Sequence, residues 1–204
     1  MDLQRRFQLG PGSPARRRSA EKGGGCAGWI ERLAVDGEAL GRSRGGLTSK
    51  LHLAVDGRGL PMAIGLTAGQ AGDNPQLLPL LDQVSVARVG PGRPRQRPDR
   101  VVADKAYSHP STRSALRSRG IAFTCPERTD QVTRRKAKGS AGGRPPAFDQ
   151  DVYAGRNVVE RCIARLKQFR ALATRYAKRA AYFRTALIIA AIVLWLREDP
   201  QDRP

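Results

Sequence analysis

Residues 149–174, DQDVYAGRNVVERCIARLKQFRALAT, constrain the fold of this chain most. Val158, Val159, Cys162, Ile163, Leu166 and Phe169 recur at helical spacing and form one apolar stripe. The spacing predicts one long helix docked on a core. Beside the stripe, Arg156, Glu160 and Lys167 share a face at i, i+4 and i+11. Between Arg156 and Arg184 there are nine Lys or Arg, and Glu160 is the one acid. Taken alone, such a face reads equally as a solvated basic surface with one intrahelical ion pair.

The charge of the whole chain points the same way. Its 204 residues carry 37 Lys and Arg against 18 Asp and Glu, a formal charge of +19. A pI near 11.3 implies a polyanionic partner, nucleic acid before an acidic membrane. Aromatics at 5% argue against a reader that stacks single-stranded bases. Cys26, Cys125 and Cys162 form no CxxC pair, which excludes a zinc knuckle and a disulfide framework and suits a reducing cytoplasm. The two histidines, His52 and His109, are too far apart in sequence to suggest a His-based metal nuclease. No apolar signal-peptide core follows the N-terminal arginines. The most apolar run, 185–196, is 12 residues against the roughly 20 that a bilayer needs, so it reads as a core helix and no membrane is expected.

Residues 1–40 mix Arg, Gly, Pro and Ser without either periodicity and read as a poorly structured basic segment. Trp29, Ile30 and Leu33 offer a short apolar contact. Residues 41–46, GRSRGG, read as a flexible basic loop, either a phosphate contact through Arg42 and Arg44 or an ordinary turn. Residues 50–56 alternate as a strand with Leu51, Leu53 and Val55 on one face. Asp56-Gly57 signals a hairpin into a second strand, 60–66. His52, facing away from the leucines, reads as structural. Residues 73–84 read as a helix that Asp73 would cap. Residues 87–98 are a Pro- and Arg-rich linker.

Residues 99–104 read as a short buried strand leading into Asp104. A carboxylate just past a strand end lies where open α/β sheets place ligands, though a cap or a pair with Lys105 is the simpler alternative. Tyr107 and His109 follow in a loop from which they could reach phosphate. A helix at 111–119 and a strand at 121–124 come next. Residues 126–146 form a basic Gly- and Pro-rich stretch, expected to be a mobile loop that orders on a polyanion, or an inert linker. The last helix, 179–197, would turn Phe183, Leu187, Ile188, Ala191, Ile192 and Trp195 inward, and residues 199–204 are a tail.

Three stretches carry a family resemblance: Tyr153, Arg156, Glu160 and Lys167 in the order Y-(2)-R-(3)-E-(6)-K, GRSRGGLTSKLHLAVDGRG at 41–59, and VVADKAYSHPSTR at 101–113. In these the chain resembles the DDE transposases of bacterial insertion sequences. The nearest likeness is the insertion-sequence family 5 branch, with a catalytic domain like that of family 4. The resemblance implies an RNase H-like α/β domain over residues 41–198, a mixed sheet flanked by helices. It also implies two Asp and one Glu holding Mg²⁺, or Mn²⁺ in its place, for cleavage at the element ends and strand transfer of the 3′-hydroxyl into target DNA. Asp104 and Glu160 match the second and third acids and are the expected metal ligands. Tyr153, Arg156 and Lys167 match the phosphate-handling positions. The first acid should end a strand as D-S-[ST], followed by an Arg-Ala-His stretch, and neither is present. The first strand is therefore expected to be degraded or missing. Asp2, 102 residues before Asp104, is the acid at nearly the family's separation.

The resemblance implies double-stranded DNA as partner, a homodimer on DNA, and a cytoplasmic, nucleoid-associated protein. The chain looks like a second-frame or truncated product that could pair with an upstream-frame product or a full-length transposase. A second expectation is a catalytically inactive fragment that only binds DNA. A basic ribosome-associated protein would explain the charge but not the spacing of the four matched residues.

Overall fold

The computed structural model describes residues 6–11, 15–16, 37–43, 46–88 and 90–198. Asp2, Arg44, the apolar trio at 29–33 and the 199–204 tail lie outside the described residues. Seven strands form one sheet: β1 (Arg6–Pro11), β2 (Ala15–Arg16), β3 (Gly41–Ser43), β4 (Gly46–Val55), β5 (Pro61–Ala68), β6 (Arg100–Ala103) and β7 (Ala122–Thr124). Seven α-helices accompany them among the described residues: α1 (Leu77–Asp82), α2 (Pro110–Ser118), α3 (Thr129–Ala137), α4 (Gln150–Ala154), α5 (Asn157–Lys167), α6 (Arg170–Ala173) and α7 (Ala180–Leu196).

Strand β4 is the hub. Period-two alternation sends Leu53 and Val55 to one face and His52 and Ala54 to the other, and all four are buried. The hairpin after it forms because the Asp56 carboxylate accepts from the backbone N–H groups of Arg58 and Leu60 at 3.0 and 2.8 Å. Gly59 supplies the positive φ of 85° that the turn needs. The sheet runs β5–β4–β1–β6–β7. Its β5–β4 and β4–β1 pairs are antiparallel and its β1–β6 and β6–β7 pairs are parallel. Strands β2 and β3 extend the pairing along the first half of β4.

A first strand is thus present, which corrects the expectation that it is missing though not that it is degraded, since it ends in Gly10 and Pro11 without an acid, and it lies in the segment that shows no periodicity. RFQLGP carries little β-propensity of its own. It is extended because its backbone pairs with β4 on one side and β6 on the other, a tertiary context that overrides local preference. Residues 41–46 likewise hold strand β3 rather than only a loop.

Both faces of the sheet are covered. Val158, Val159, Cys162, Ile163 and Leu166 of α5 pack with Leu53, Val55 and the inner face of α7. On the other face Leu77, Leu80 and Leu81 of α1 and Leu116 of α2 pack with Ala54, Ala63, Val101 and Ala103. Each Val, Leu or Ile among them contributes about 1.5–3 kcal/mol on full burial. The expected single helix over 149–174 is three, α4, α5 and α6. The first break falls at Gly155 and Arg156, where glycine weakens the helix and an i→i+3 bond, Arg156 N–H to the Tyr153 carbonyl at 2.9 Å, closes a tighter turn. The second falls at Phe169, whose backbone is extended (ψ 102°).

Two further expectations change. Asp73 makes no cap bond. Its carboxylate pairs with Lys50 Nζ at 3.1 Å instead. In α7 the buried stripe is Phe183, Leu187, Ala190, Ala191 and Leu194, whereas Ile188, Ile192 and Trp195 stay largely outside. Trp195 keeps two ties, its indole N–H donating to the Pro61 carbonyl at 2.9 Å and its ring lying 5.7 Å from the Arg58 guanidinium. With Arg197 the helix is long and apolar enough to cross a bilayer by length and composition alone; its inner face packs on α5 and the sheet while its outer face, with Ile188, Ile189 and Ile192, stays exposed.

A buried arginine ties the segment before β3 to this layer. Arg175 is 1% exposed. Its guanidinium donates to the carbonyls of Glu38 (2.7 Å) and Ala39 (3.1 Å) and to the Ser49 hydroxyl, and stacks 5.3 Å from the Phe183 ring. The Glu38 carboxylate in turn accepts from the Ala180 N–H at 2.6 Å, at the start of α7. On the other side of β4, fully buried His52 has Nε2 2.8 Å from the Thr67 hydroxyl and Nδ1 3.5 Å from that of Tyr107.

Two measurements check this arrangement. Leu187→Ala is expected to cost about 2–5 kcal/mol in chemical denaturation and Ile192→Ala about 0.5 kcal/mol. The reverse order would mean that α7 is rotated. Burial holds the His52 pKa below its ordinary value, with nearby Lys50 adding to the shift and Asp73 opposing it. The unfolded chain therefore takes up a proton at His52, from about pH 6.5 downward, before the folded one does. Stability present above that pH is lost on acidification. The urea midpoint should drop between about pH 7.5 and about pH 5.5, and drop less in His52→Gln.

Candidate functional site

Strand β6 is buried throughout its Val101, Val102 and Ala103, so the chain emerges at its C-terminal end and the next residue, half-buried Asp104, is the first that can meet solvent there. Its carboxylate accepts from the Lys105 N–H at 2.7 Å and caps a 3-10 turn, Lys105–Tyr107. This engages one carboxylate oxygen, Oδ1, with the chain itself. Neighbouring β7 ends beside it: the Cys125 thiol donates to the Asp104 carbonyl at 3.2 Å. Burial pushes that thiol up to about 12, with Arg113 pulling the other way, so it stays protonated. Tyr107 is not available to phosphate as expected. It is 1% exposed, and burial raises its pKa further.

Helix α4 is fixed against the same region by Asp149. That carboxylate accepts from the Val152 N–H at 3.0 Å, capping α4, and pairs with Arg100 of β6 at 3.1 Å. Tyr153 follows, its ring 5.2 Å from Phe148 and 5.7 Å from the Arg156 guanidinium. Burial raises the Tyr153 pKa. Arg156 opposes the rise and the negative charge of Asp104 adds to it, so the hydroxyl sits in the field of both groups. Arg156 then closes an ion pair with Glu160, whose side chain is 47% exposed. The structure therefore joins Tyr153, Arg156 and Glu160 across α4, the break before α5 and α5 itself, with Asp104 at the end of β6 acting on the Tyr153 hydroxyl through its charge. That break matters: Arg156 precedes α5 and reaches Glu160 from the turn rather than from a continuous helix.

Lys167 is separate. It ends α5, seven residues past Glu160, which is about 10 Å along the axis. It flanks a small apolar crevice lined by Ser49, Leu51 and Leu172. Arg42 is exposed on β3 opposite Leu47. Both cations thus border the first half of β4, away from the Asp104 cluster.

As for metal, the donor chemistry fits a hard divalent ion, which takes carboxylate oxygens, but the number falls short. Among the described residues no group of three or more His, Cys, Asp or Glu comes together. In the parallel register Leu9 of β1 lies opposite Ala103, and the residues that follow it, Gly10 and Pro11, are not acids.

Sequence reasoning missed Phe148, Asp149 and Cys125 as parts of this site. Asp149 is legible as a helix cap three residues before Val152. The contacts of Cys125 and Phe148 have no local signal.

Comparison with known proteins gives this geometry a context. Residues 28–196 match the family described as the transposase DDE domain. A Burkholderia cepacia protein named as a transposase for insertion sequence element IS402 is 36% identical over 157 residues, covering 73% of this chain and 67% of that protein. A Brucella ovis protein named as a transposase for insertion sequence element IS6501 is 31% identical over 151 residues, covering 74% of this chain and all of that protein. The sheet, the strand-end aspartate and the Tyr153–Glu160 cluster are carried on a chain that belongs to the DDE transposase family of insertion sequences.

Proposed function

We propose that this chain serves DNA transposition: cleavage at insertion-sequence ends and transfer of the 3′-hydroxyl into target DNA, with Mg²⁺ or Mn²⁺ as the ion. The observation that supports the reading is the contact chain Tyr153–Arg156–Glu160, with the Tyr153 hydroxyl in the field of Asp104 at the end of β6. Asp104 and Glu160 are the carboxylates that would hold the ion. Arg156, a rigid fork, and Tyr153, a neutral hydroxyl at ordinary pH, would take the scissile phosphate. Lys167 and Arg42, with Arg44 near it in sequence, would hold more distant phosphates along the first half of β4. An RNase H-like fold is supported by the sheet order, antiparallel β5–β4–β1 then parallel β1–β6–β7, with helices on both faces. The partner would be duplex DNA, bound by a homodimer or together with a full-length or upstream-frame product.

One observation favours a second reading, a DNA-binding protein without cleavage activity. The strand beside Asp104 continues from Leu9 into Gly10 and Pro11, so it offers no carboxylate where a partner to Asp104 would sit. Asp2 is the proposed acid on the first reading.

Nicking and strand transfer on DNA carrying the element ends, in Mg²⁺ and in Mn²⁺, separates the two. On the first reading the chain cuts, and Glu160→Gln and Asp104→Asn each reduce cutting to background while still binding duplex. On the second, wild type binds duplex and cuts with neither ion. On both, log K falls linearly with log[salt], by about 0.9 for each phosphate neutralised. A flat salt response sinks both.

A further inference from the structure

Residues 126–146 do not form the mobile loop that their composition suggests. They fold into α3 and a 3-10 turn, Gly139–Gly142. Helix α3 has no buried residue, so an apolar face does not hold it. Polar ties do. Arg135 grips the Glu127 carboxylate with two N–H groups, at 2.7 and 3.3 Å, both side chains being largely buried. Gln131 donates to the Ser108 carbonyl at 3.3 Å. Arg134, Arg135 and Lys136 in the last turn also suit the negative end of the helix.

Facing α3 across an open cleft of about 570 Å³ are the start of α2 and the strap at 144–147. Six cations line this cleft, Arg113, Arg128, Arg134, Arg135, Lys138 and Arg144, against two acids, Glu127 and Asp130. Both acids are already taken, Glu127 by Arg135 and Asp130 by Arg128 at 3.1 Å. Arg113, Arg134, Lys138 and Arg144 have no carboxylate partner among the described residues. Arg113 is oriented, donating to the Cys125 carbonyl at 2.7 Å with its guanidinium 5.3 Å from the Phe123 ring. An adjoining cleft, which shares Arg113 and Arg144, adds Arg117 and no acid. Five cations without carboxylate partners are thus held along one path by three elements. A bound anion would relieve their mutual repulsion.

We infer that this α2–α3 cleft docks the sugar-phosphate backbone of duplex DNA outside the reacting phosphate, an inference that rests on the DNA reading above. The chemistry favours an extended polyanion over a small one: the cations are spread along two open clefts with no enclosed cradle. It favours backbone over bases, because neither cleft is lined by Phe, Tyr or Trp for stacking. The cleft also leads to the acids. Ser108 and His109 on its wall follow directly from the Asp104 turn, and Cys125, bonded to the Asp104 carbonyl, leads into α3.

The test is fluorescence-anisotropy titration of a random-sequence duplex with the full chain over a range of salt. Wild type is compared with the combined Arg134→Ala, Lys138→Ala, Arg144→Ala variant and with a charge-matched control, Lys178→Ala, Arg179→Ala, Arg184→Ala. Unchanged thermal melts establish that all three are folded, and charge reversal at Lys138 alone (Lys138→Glu) serves if the triple variant is not. The cleft variant is expected to lose affinity and to show a salt slope smaller by about 2 to 3, near one for each phosphate no longer neutralised. The control is expected to keep the wild-type slope. Equal slopes in wild type and cleft variant overturn the cleft while leaving the DNA reading intact, and an equal loss in the control reduces the effect to net charge and overturns it too. Absence of duplex binding by wild type overturns both readings. A single-stranded RNA of equal length that competes as well as the duplex overturns the assignment to duplex DNA.

Discussion

The seating of α5 on β4 decides everything at the candidate site. Val158, Val159, Cys162, Ile163 and Leu166 have one apolar surface to cover, that of Leu53 and Val55, and α7 closes over them from outside. The hairpin locks the helix lengthwise: the Arg165 guanidinium donates to the Gly59 carbonyl at 2.5 Å, and a Cβ on Gly59 would come within 3.2 Å of both that guanidinium and the Val158 carbonyl. With the buried face fixed, Glu160 and Lys167 have to emerge on the opposite side. The break at Gly155 then matters for function as well as shape. A continuous helix would carry Tyr153 along the axis of α5. The turn instead places Tyr153 beside β6, where it senses Asp104.

Local periodicity makes much of this readable. The α5 stripe, the β4–β5 hairpin at Asp56-Gly57 and the strand into Asp104 each carry their signal within a few residues. The parts that are not readable depend on partners far away in sequence. Strand β1 is extended because β4 and β6 flank it, not because RFQLGP prefers to be. In α7 nearly every residue is apolar, so composition does not say which face is buried, and Ala190 and Leu194 turn inward where Ile188 and Ile192 are expected. Arg175 looks like one more surface cation in the sequence, yet its bonds to Glu38 and Ala39 span more than a hundred residues. Helix α3 resembles a disordered basic loop because its stability comes from Glu127, one acid in a basic run, meeting Arg135.

Charge is arranged in layers around the site. Close to Asp104 the groups are balanced: Arg156 faces Glu160, Arg100 faces Asp149, and Tyr153 and Cys125 stay protonated. Farther out, cations predominate, as Arg134, Lys138 and Arg144 do around α3 and Arg42 does beside the first half of β4. An excess of 19 positive charges would repel itself most strongly if it were packed into one place. Its placement at the margins leaves the centre near neutral while the margins attract a polyanion from a distance that salt controls.

The Arg156–Glu160 pair links these layers. Glu160 is nearly half exposed, and pairs of that kind contribute about 0–1 kcal/mol to stability. The pair therefore holds Arg156 in place without holding it firmly. A phosphate arriving at Arg156 would meet a guanidinium already oriented over Tyr153, and the carboxylate it displaces would be freed at little cost. A cation arriving at Glu160 would free the guanidinium by the same exchange. Because each arrival removes the other group's partner, anion and cation binding at this site should reinforce each other: whichever comes first leaves the opposite charge unpaired for the second.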